Sequence, residues 1–210
     1  MTPLHAIVDV EAAGRAGWAA VDLARAFLDG GALWIQIRAK HLPSGAFLDL
    51  CDEVVHSAEP CAATVVVNDR ADVALACGAA GVHVGQEDLS PGEVRGVLGP
   101  AAIIGYSTHT IAQLKDALRE AVSYIAVGPV FGTSTKATGH DAVGLELVSA
   151  AVARAGGRPL VAIGGITLER AAAAVAAGAS AVAVIGDLLA TGDPRARTRA
   201  YLQRLSQYRV

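Results

Sequence analysis

The sequence predicts a single-domain α/β protein, a (β/α)8 TIM barrel that spans residues 1–210. Eight short apolar runs rich in β-branched residues recur along the chain, and each is followed by a segment with the spacing of a helix. Strands that are apolar on both faces and alternate with helices are typical of parallel sheets with right-handed crossovers. The length fits one such barrel. An open doubly wound sheet is disfavoured because no Gly-x-Gly-x-x-Gly follows the first strand.

The predicted strands are the eight apolar runs. They span residues 4–10, 32–38, 64–68, 81–84, 103–107, 124–127, 160–163 and 181–185. Helix-start signals support this register, namely Ser90-Pro91, Asp193-Pro194, and Thr110 with Gln113. Gly30 and Gly178 follow helical stretches and are expected to form C-terminal caps.

Composition and charge exclude several classes of function. A formal net charge of −3 gives no electrostatic reason to expect nucleic acid or an anionic membrane, so a small-molecule substrate is the expected partner. Residues 171–186 are too short and too broken to span a bilayer, and the first residues lack the pattern of a signal peptide. Three cysteines without a Cys-x-x-Cys pair indicate the reducing cytoplasm. A homo-oligomer is left open.

Polar residues gather after the predicted strands. Because the carboxyl ends of barrel strands meet at one face, these scattered segments are expected to converge into an active site. Gln36, Arg38 and Lys40 alternate after the second strand, so their side chains point the same way and suit a phosphate or diphosphate. The alternative is that Arg38 and Lys40 are only a solvated strand end.

Two acids follow different strands and predict a magnesium site. Asp69 and Asp88 provide the carboxylates that Mg²⁺ prefers, with water and substrate phosphate as further ligands. Asp69 has an equally plausible role as a helix N-cap. Asp88 is harder to explain in that way, because Ser90 already caps the next helix.

A second anion site is predicted from the later loops. Thr133, Ser134 and Thr135 offer hydroxyls to this site, whereas Lys136 of the same loop adds its cation to the first site. Glycines after strands seven and eight expose backbone amides, namely Gly164, Gly165 and Gly186. Ser107 lies outside the nearby capping box and is expected to face a ligand. His83 and His109 are acid–base candidates, although histidines near strand ends are more often structural.

In these motifs the chain resembles the thiamine-phosphate synthase family. The resemblance rests on six segments in order, namely 36–40, 67–70, 81–88, 105–109, 128–136 without Gly132, and 162–166. It implies that 4-amino-2-methyl-5-hydroxymethylpyrimidine diphosphate and a thiazole phosphate are joined to give thiamine phosphate and pyrophosphate. It also implies site residues: Mg²⁺ on Asp69 and Asp88; the pyrimidine diphosphate on Gln36, Arg38, Lys40, Asn68 and Lys136; the pyrimidine on Ser107; and the thiazole phosphate on Thr133, Ser134, Thr135, Gly165, Ile185 and Gly186. Among these, the catalytic set is Arg38, Lys40, Lys136 and Ser107.

The sequence departs from the family pattern at several positions. The first strand, with His5, lacks the expected aromatic residue and threonine, Ala39 replaces a common acid, and Gly132 and Gly186 replace a proline and a serine. Two alternatives remain. A thiazole tautomerase-like isomerase would not need Arg38 and Lys40 with the two acids, and a non-catalytic regulator that binds a thiamine precursor would be expected to lack the metal ligands.

Overall fold

A computed structural model describes residues 2–132 and 141–208, which include a closed barrel of eight parallel strands. Each strand pairs with the next along the chain, and β1 closes on β8. The strands are β1 (Leu4–Asp9), β2 (Trp34–Arg38), β3 (Thr64–Asn68), β4 (Gly81–Val84), β5 (Ile103–Thr108), β6 (Tyr124–Val127), β7 (Leu160–Ile163) and β8 (Ala181–Val184). All eight predicted strands are therefore confirmed, with boundaries that differ by two residues at most.

Helices cover the outside of the barrel. They are α1 (Val10–Arg15), α2 (Ala20–Asp29), α3 (Ser44–Ala58), α4 (Ala71–Ala76), α5 (Pro91–Leu98), α6 (Ile111–Ala117), α7 (Gly144–Val152), α8 (Leu168–Ala176) and α9 (Pro194–Ser206). Short 3₁₀ turns occupy Glu59–Cys61 and Gly186–Leu188. The main core lies between the strands and this helical layer. Within the described ranges, no helix is long and apolar enough to cross a membrane.

The predicted N-caps are present, but one differs in detail. Ser90 forms a complete capping box with Glu93. The Thr110 hydroxyl accepts from the Gln113 amide at 3.2 Å, whereas the Gln113 side chain accepts from His109 N rather than from the cap residue. The Asp193 carboxylate accepts from the Ala196 amide at 2.9 Å. Each of these helices therefore has one of its unpaired N–H groups satisfied by a side chain.

The predicted C-terminal cap at Gly30 is confirmed, because Gly30 is the C-cap residue of α2. It adopts a right-handed φ of −75°, and the positive φ of 94° belongs to the next residue, Gly31. Gly30 is required for close packing instead, because a Cβ there would lie 2.6 Å from the Thr198 Cβ of α9. Gly178 has a φ of 102° after α8, as predicted.

Aromatic rings fill the interior of the barrel. His5 of β1 stacks on Trp34 of β2, with ring centroids 4.2 Å apart, and meets the edge of Tyr124 of β6 at 5.4 Å. Burial, and secondarily the neighbouring His83, lower the pKa of His5 to about 3, so the ring is neutral at physiological pH. The missing aromatic residue of the first strand is therefore replaced by an imidazole that packs as an aromatic ring.

Gly105 of β5 makes this interior possible. Tyr124 and His83, on the two strands that flank β5, form a hydrogen bond of 2.9 Å over Gly105. A Cβ at Gly105 would lie 2.1 Å from Tyr124 Cζ and 2.4 Å from His83 Nδ1, far inside van der Waals contact. The absence of a side chain at this position leaves space for both rings.

We predict that Gly105→Ala destabilises the protein by about 1–3 kcal/mol, because the added methyl overpacks the barrel interior. Urea unfolding of the purified variant measures this change. The matched control is Gly96→Ala, a glycine of α5 with open space around its Cα. It is expected to stabilise the helix by about 0.5–1 kcal/mol. Equal stability of the Gly105 variant and the wild type would contradict the packing argument.

Candidate active site

Two adjoining cavities of about 120 and 640 Å³ open at the carboxyl ends of the strands. The smaller descends into the barrel as far as His5, and its walls are mainly apolar. The larger is lined by charged residues that follow β1 to β4. Both are lined by Arg38, Asn68, His83, Ser107 and His109. The predicted convergence of the segments that follow the strands is therefore present.

The alternating residues of β2 face this opening, as their spacing predicts. Gln36 and Arg38 line the smaller cavity, and Arg38 and Lys40 line the larger one. Gln36 is buried and its amide nitrogen donates to the Asn68 side-chain oxygen at 2.9 Å. The interpretation as a merely solvated strand end does not hold for Arg38, which is 13% exposed and paired with Asp9. Lys40 pairs with Asp69 but is 42% exposed, so the alternative stays open for this residue.

Asp9 at the end of β1 holds Arg38. One Asp9 oxygen accepts from Arg38 Nη1, and the other accepts from the Ala12 amide at 2.8 Å and so caps α1. Glu11 lies 4.0 Å from the same guanidinium nitrogen. Arg38 is only 13% exposed, so it occupies a fixed position between two acids. Sequence reasoning missed Asp9, although it ends a strand just as the predicted site residues do.

Asp69 and Asp88 come together, as the sequence predicts. Asp69 has a φ of 65°, and its carboxylate pairs with Lys40. The alternative role of Asp69 as a helix cap is wrong, because α4 has no side-chain cap and begins after Arg70. Asp88 accepts from the Gly85 amide at 2.7 Å. Burial, followed by the adjacent Asp69 carboxyl, raises the pKa of Asp88.

The charge balance of the larger cavity fits a divalent cation. The acids that line it are Asp9, Glu11, Asp69, Glu87 and Asp88. Against these five, its described lining offers three permanent cations, namely Arg15, Arg38 and Lys40. A polyphosphate would meet net negative charge here, whereas Mg²⁺ prefers carboxylate oxygens and keeps several waters. In the described ranges, no group of three or more His, Cys, Asp or Glu side chains is arranged to hold a metal ion.

The apolar cavity ends at the turns that follow β7 and β8. Gly164 and Gly165 have φ values of 87° and 63°, and a Cβ on Gly165 would lie 2.5 Å from the Gly132 carbonyl oxygen. Ile185 and Gly186 line the same wall. The predicted residues Thr133, Ser134, Thr135 and Lys136 lie outside the described residues.

Asp187 anchors the segment after β8, a role that sequence reasoning did not assign. Its Oδ2 accepts from the Tyr201 hydroxyl, from Arg197 Nη2 at 2.8 Å and from the Leu168 amide at 3.0 Å. These bonds tie the residue next to Gly186 to α9 and to the start of α8. The wall of the apolar cavity is thereby fixed at a point where the chain is otherwise in turns.

Ser107 and the two candidate histidines are hydrogen-bonded. Ser107 lines both cavities, in agreement with the expectation that it faces a ligand, and its hydroxyl also lies 2.8 Å from His83 Nε2. The other nitrogen of His83 meets the Tyr124 hydroxyl. His109 Nδ1 contacts the carbonyl oxygen of Gly128. Both imidazoles therefore have structural contacts, and Tyr124 is a buried participant that its apolar strand did not reveal.

Comparisons with known proteins agree with this geometry. A family model described as thiamine monophosphate synthase matches residues 4–188. The thiamine-phosphate synthase of Roseiflexus castenholzii is 41% identical over 197 residues, covering 94% of this chain and 85% of the relative. That of Koribacter versatilis is 42% identical over 204 residues, covering 96% and 95%. The structure of a thiamine phosphate pyrophosphorylase from Pyrococcus furiosus aligns with a TM-score of 0.88 and 29% identity, covering 98% and 96%.

We predict that Asp88→Asn raises the midpoint temperature of unfolding at neutral pH in the presence of a chelator. A raised carboxyl pKa means that ionisation of Asp88 opposes folding above the ordinary carboxyl range, and a carboxamide removes that charge. Its oxygen still accepts from Gly85 N. The rise in midpoint temperature should vanish at pH values below the ordinary carboxyl pKa, where Asp88 is protonated in both the folded and the unfolded state. Calorimetry across pH measures the effect.

The control for this variant is Asp116→Asn, an exposed acid paired with Arg119 on the surface. It should change the midpoint little at any pH. A midpoint for Asp88→Asn below that of the wild type at neutral pH would contradict the electrostatic argument.

Proposed function

Since this chain belongs to the thiamine monophosphate synthase family, we propose that it is a transferase that joins 4-amino-2-methyl-5-hydroxymethylpyrimidine diphosphate to thiazole phosphate. The products are thiamine phosphate and pyrophosphate. The observation that carries this proposal is the joining of a charged and an apolar cavity at one opening. Two phosphorylated reactants with heterocyclic rings need such a divided site.

The charged cavity would hold the diphosphate. Arg38 and Lys40 are held by acids from the neighbouring strands, and Gln36 is held by Asn68. We assign Mg²⁺ to Asp69 and Asp88, whose adjacent carboxylates need a counter-charge. The ion would neutralise negative charge on the diphosphate and on the departing pyrophosphate.

The apolar cavity would take the two rings and the thiazole phosphate. We assign Ser107 to the pyrimidine, because it lies where the two cavities meet. Backbone at Gly165, Ile185 and Gly186 would contact the thiazole phosphate. Thr133, Ser134 and Thr135 are assigned to the same phosphate, and Lys136 to the diphosphate, by resemblance alone.

The chemistry needs charge stabilisation and alignment rather than a protein nucleophile. Cleavage of the C–O bond to pyrophosphate leaves a pyrimidinylmethyl cation that its own amino group stabilises, and the thiazole nitrogen then forms the new C–N bond. Arg38, Lys40 and Lys136 would neutralise the charge that grows on the leaving group. Holding both rings in one cavity can lower a barrier by about 7–11 kcal/mol in favourable cases.

The two alternatives explain less of the structure. A thiazole isomerase has no diphosphate and therefore no use for the ion pairs of Arg38 and Lys40 beside two further acids. A regulator without catalysis would not need the adjacent carboxylates of Asp69 and Asp88, where burial, followed by the neighbouring Asp69, raises the pKa of Asp88 in the folded protein. The synthase reaction uses both features.

We place this reaction in the cytoplasm. Cys51, Cys61 and Cys77 are all free thiols. Unpaired cysteines are typical of proteins in a reducing compartment.

We predict that the purified protein releases pyrophosphate and forms thiamine phosphate when given Mg²⁺ and both substrates. Asp88→Ala should lower the rate at least about 100-fold, because it removes a carboxylate assigned to the metal. Coupled pyrophosphate detection and chromatography measure the two products. Chelation of the wild type should have the same effect as the substitution.

The control is Asp116→Ala, which removes an acid far from the opening and should leave the rate unchanged. A wild type that isomerises the thiazole phosphate alone and makes no thiamine phosphate would establish the isomerase alternative. Binding of either substrate without any turnover would establish the regulator.

A further inference from the structure

A hydrogen-bonded chain of three side chains crosses the barrel interior beneath the opening. The Tyr124 hydroxyl lies 2.9 Å from His83 Nδ1, and His83 Nε2 lies 2.8 Å from the Ser107 hydroxyl. All three side chains are buried, and Gly105 provides the space in which the first bond forms. Ser107, at one end of the chain, lines both cavities, and His83 also lines both.

The burial of Tyr124 determines which atom donates in each hydrogen bond of this chain. Its hydroxyl stays protonated because complete burial raises its pKa. Across the described ranges, His83 Nδ1 is its one hydrogen-bond partner. If Nδ1 carried a proton and donated to Tyr124, the tyrosine proton would be buried without an acceptor, which is unfavourable. Tyr124 therefore donates to Nδ1.

The donor role of Tyr124 determines in turn how His83 bonds to Ser107. With a lone pair on Nδ1, the imidazole carries its proton on Nε2 and donates to the Ser107 oxygen. The Ser107 oxygen then accepts from Nε2, so the hydroxyl keeps its own proton available toward the cavity. With the opposite tautomer, Ser107 would donate that proton to Nε2 and could offer only an acceptor to a ligand.

We propose that Tyr124 and His83 are positioning residues that hold Ser107 as a hydrogen-bond donor to a ring nitrogen of the aminopyrimidine. This inference rests on the proposed function, which places the pyrimidine at Ser107. The edge of an aminopyrimidine offers an amino group that donates and ring nitrogens that accept. A fixed donor selects a ring nitrogen, so the ring is bound in one orientation and with that nitrogen unprotonated.

The first test reads the proton position directly. Nitrogen-15 NMR of protein labelled at histidine should show His83 with a protonated Nε2 and an unprotonated Nδ1, with the signal assigned by its loss in His83→Asn. Tyr124→Phe removes the donor and should shift the proton toward Nδ1. Tyr201→Phe, which removes another buried hydroxyl that bonds to Asp187, should leave the His83 signals unchanged. An unprotonated Nε2 in the wild type would overturn the proposal.

The second test reads the substrate. Tyr124→Phe should raise the KM for the pyrimidine diphosphate roughly tenfold and leave the KM for the thiazole phosphate unchanged, with no further rise when it is added to Ser107→Ala. Two analogues of the pyrimidine diphosphate can be compared, each with one of the two ring nitrogens replaced by C–H. The analogue that lacks the nitrogen bound by Ser107 should bind equally to the wild type and to Ser107→Ala. Additive effects of the two substitutions would overturn the proposal.

The two tests separate this proposal from the one on which it rests. A wild type that forms no thiamine phosphate would overturn the proposed function and the ligand assigned to Ser107, whatever the NMR result. An active wild type with the opposite tautomer of His83 would overturn the positioning chain alone.

Discussion

The opening of the barrel depends on cations that are held by carboxylates from neighbouring strands. Asp9 and Arg38 are direct partners in the register of β1 and β2, and Lys40 reaches Asp69 beyond the end of β3. Because Arg38 and Lys40 each have a carboxylate partner in the protein, both cations are positioned before any ligand arrives. Dipoles and charges that need no rearrangement are the most effective at stabilising charge that develops in a reaction. The order in which the strands pair therefore determines which charged side chains meet at the opening, as well as the shape of the barrel.

Much of the fold and part of the site could be predicted from single strands and their ends. The eight apolar runs predict the strands, and residues 36–40 show their common direction through alternation alone. Side-chain pairs between strands could not be predicted in that way. Asp9 meets Arg38 through the register of β1 and β2, and Tyr124 meets His83 over Gly105 of the strand between them. Asp187 belongs to the same class, since its partners come from α8 and α9.

The interior shows how a departure from a family pattern is accommodated. His5 stands where an aromatic residue is expected, yet it stacks on Trp34 as a neutral ring and meets the edge of Tyr124. Tyr124 in turn reaches His83 through the space left by Gly105. Residues of five strands therefore share one packing arrangement, and a change on any of them alters the floor of the cavity.

The excess of acids at the opening also links the protein to its ionic surroundings. Burial, followed by the neighbouring Asp69, raises the pKa of Asp88, so ionisation of that carboxyl opposes folding. The Mg²⁺ proposed for these two acids would offset that cost and stabilise the fold by mass action. The supply of free divalent ions would then also affect how long each molecule survives before degradation.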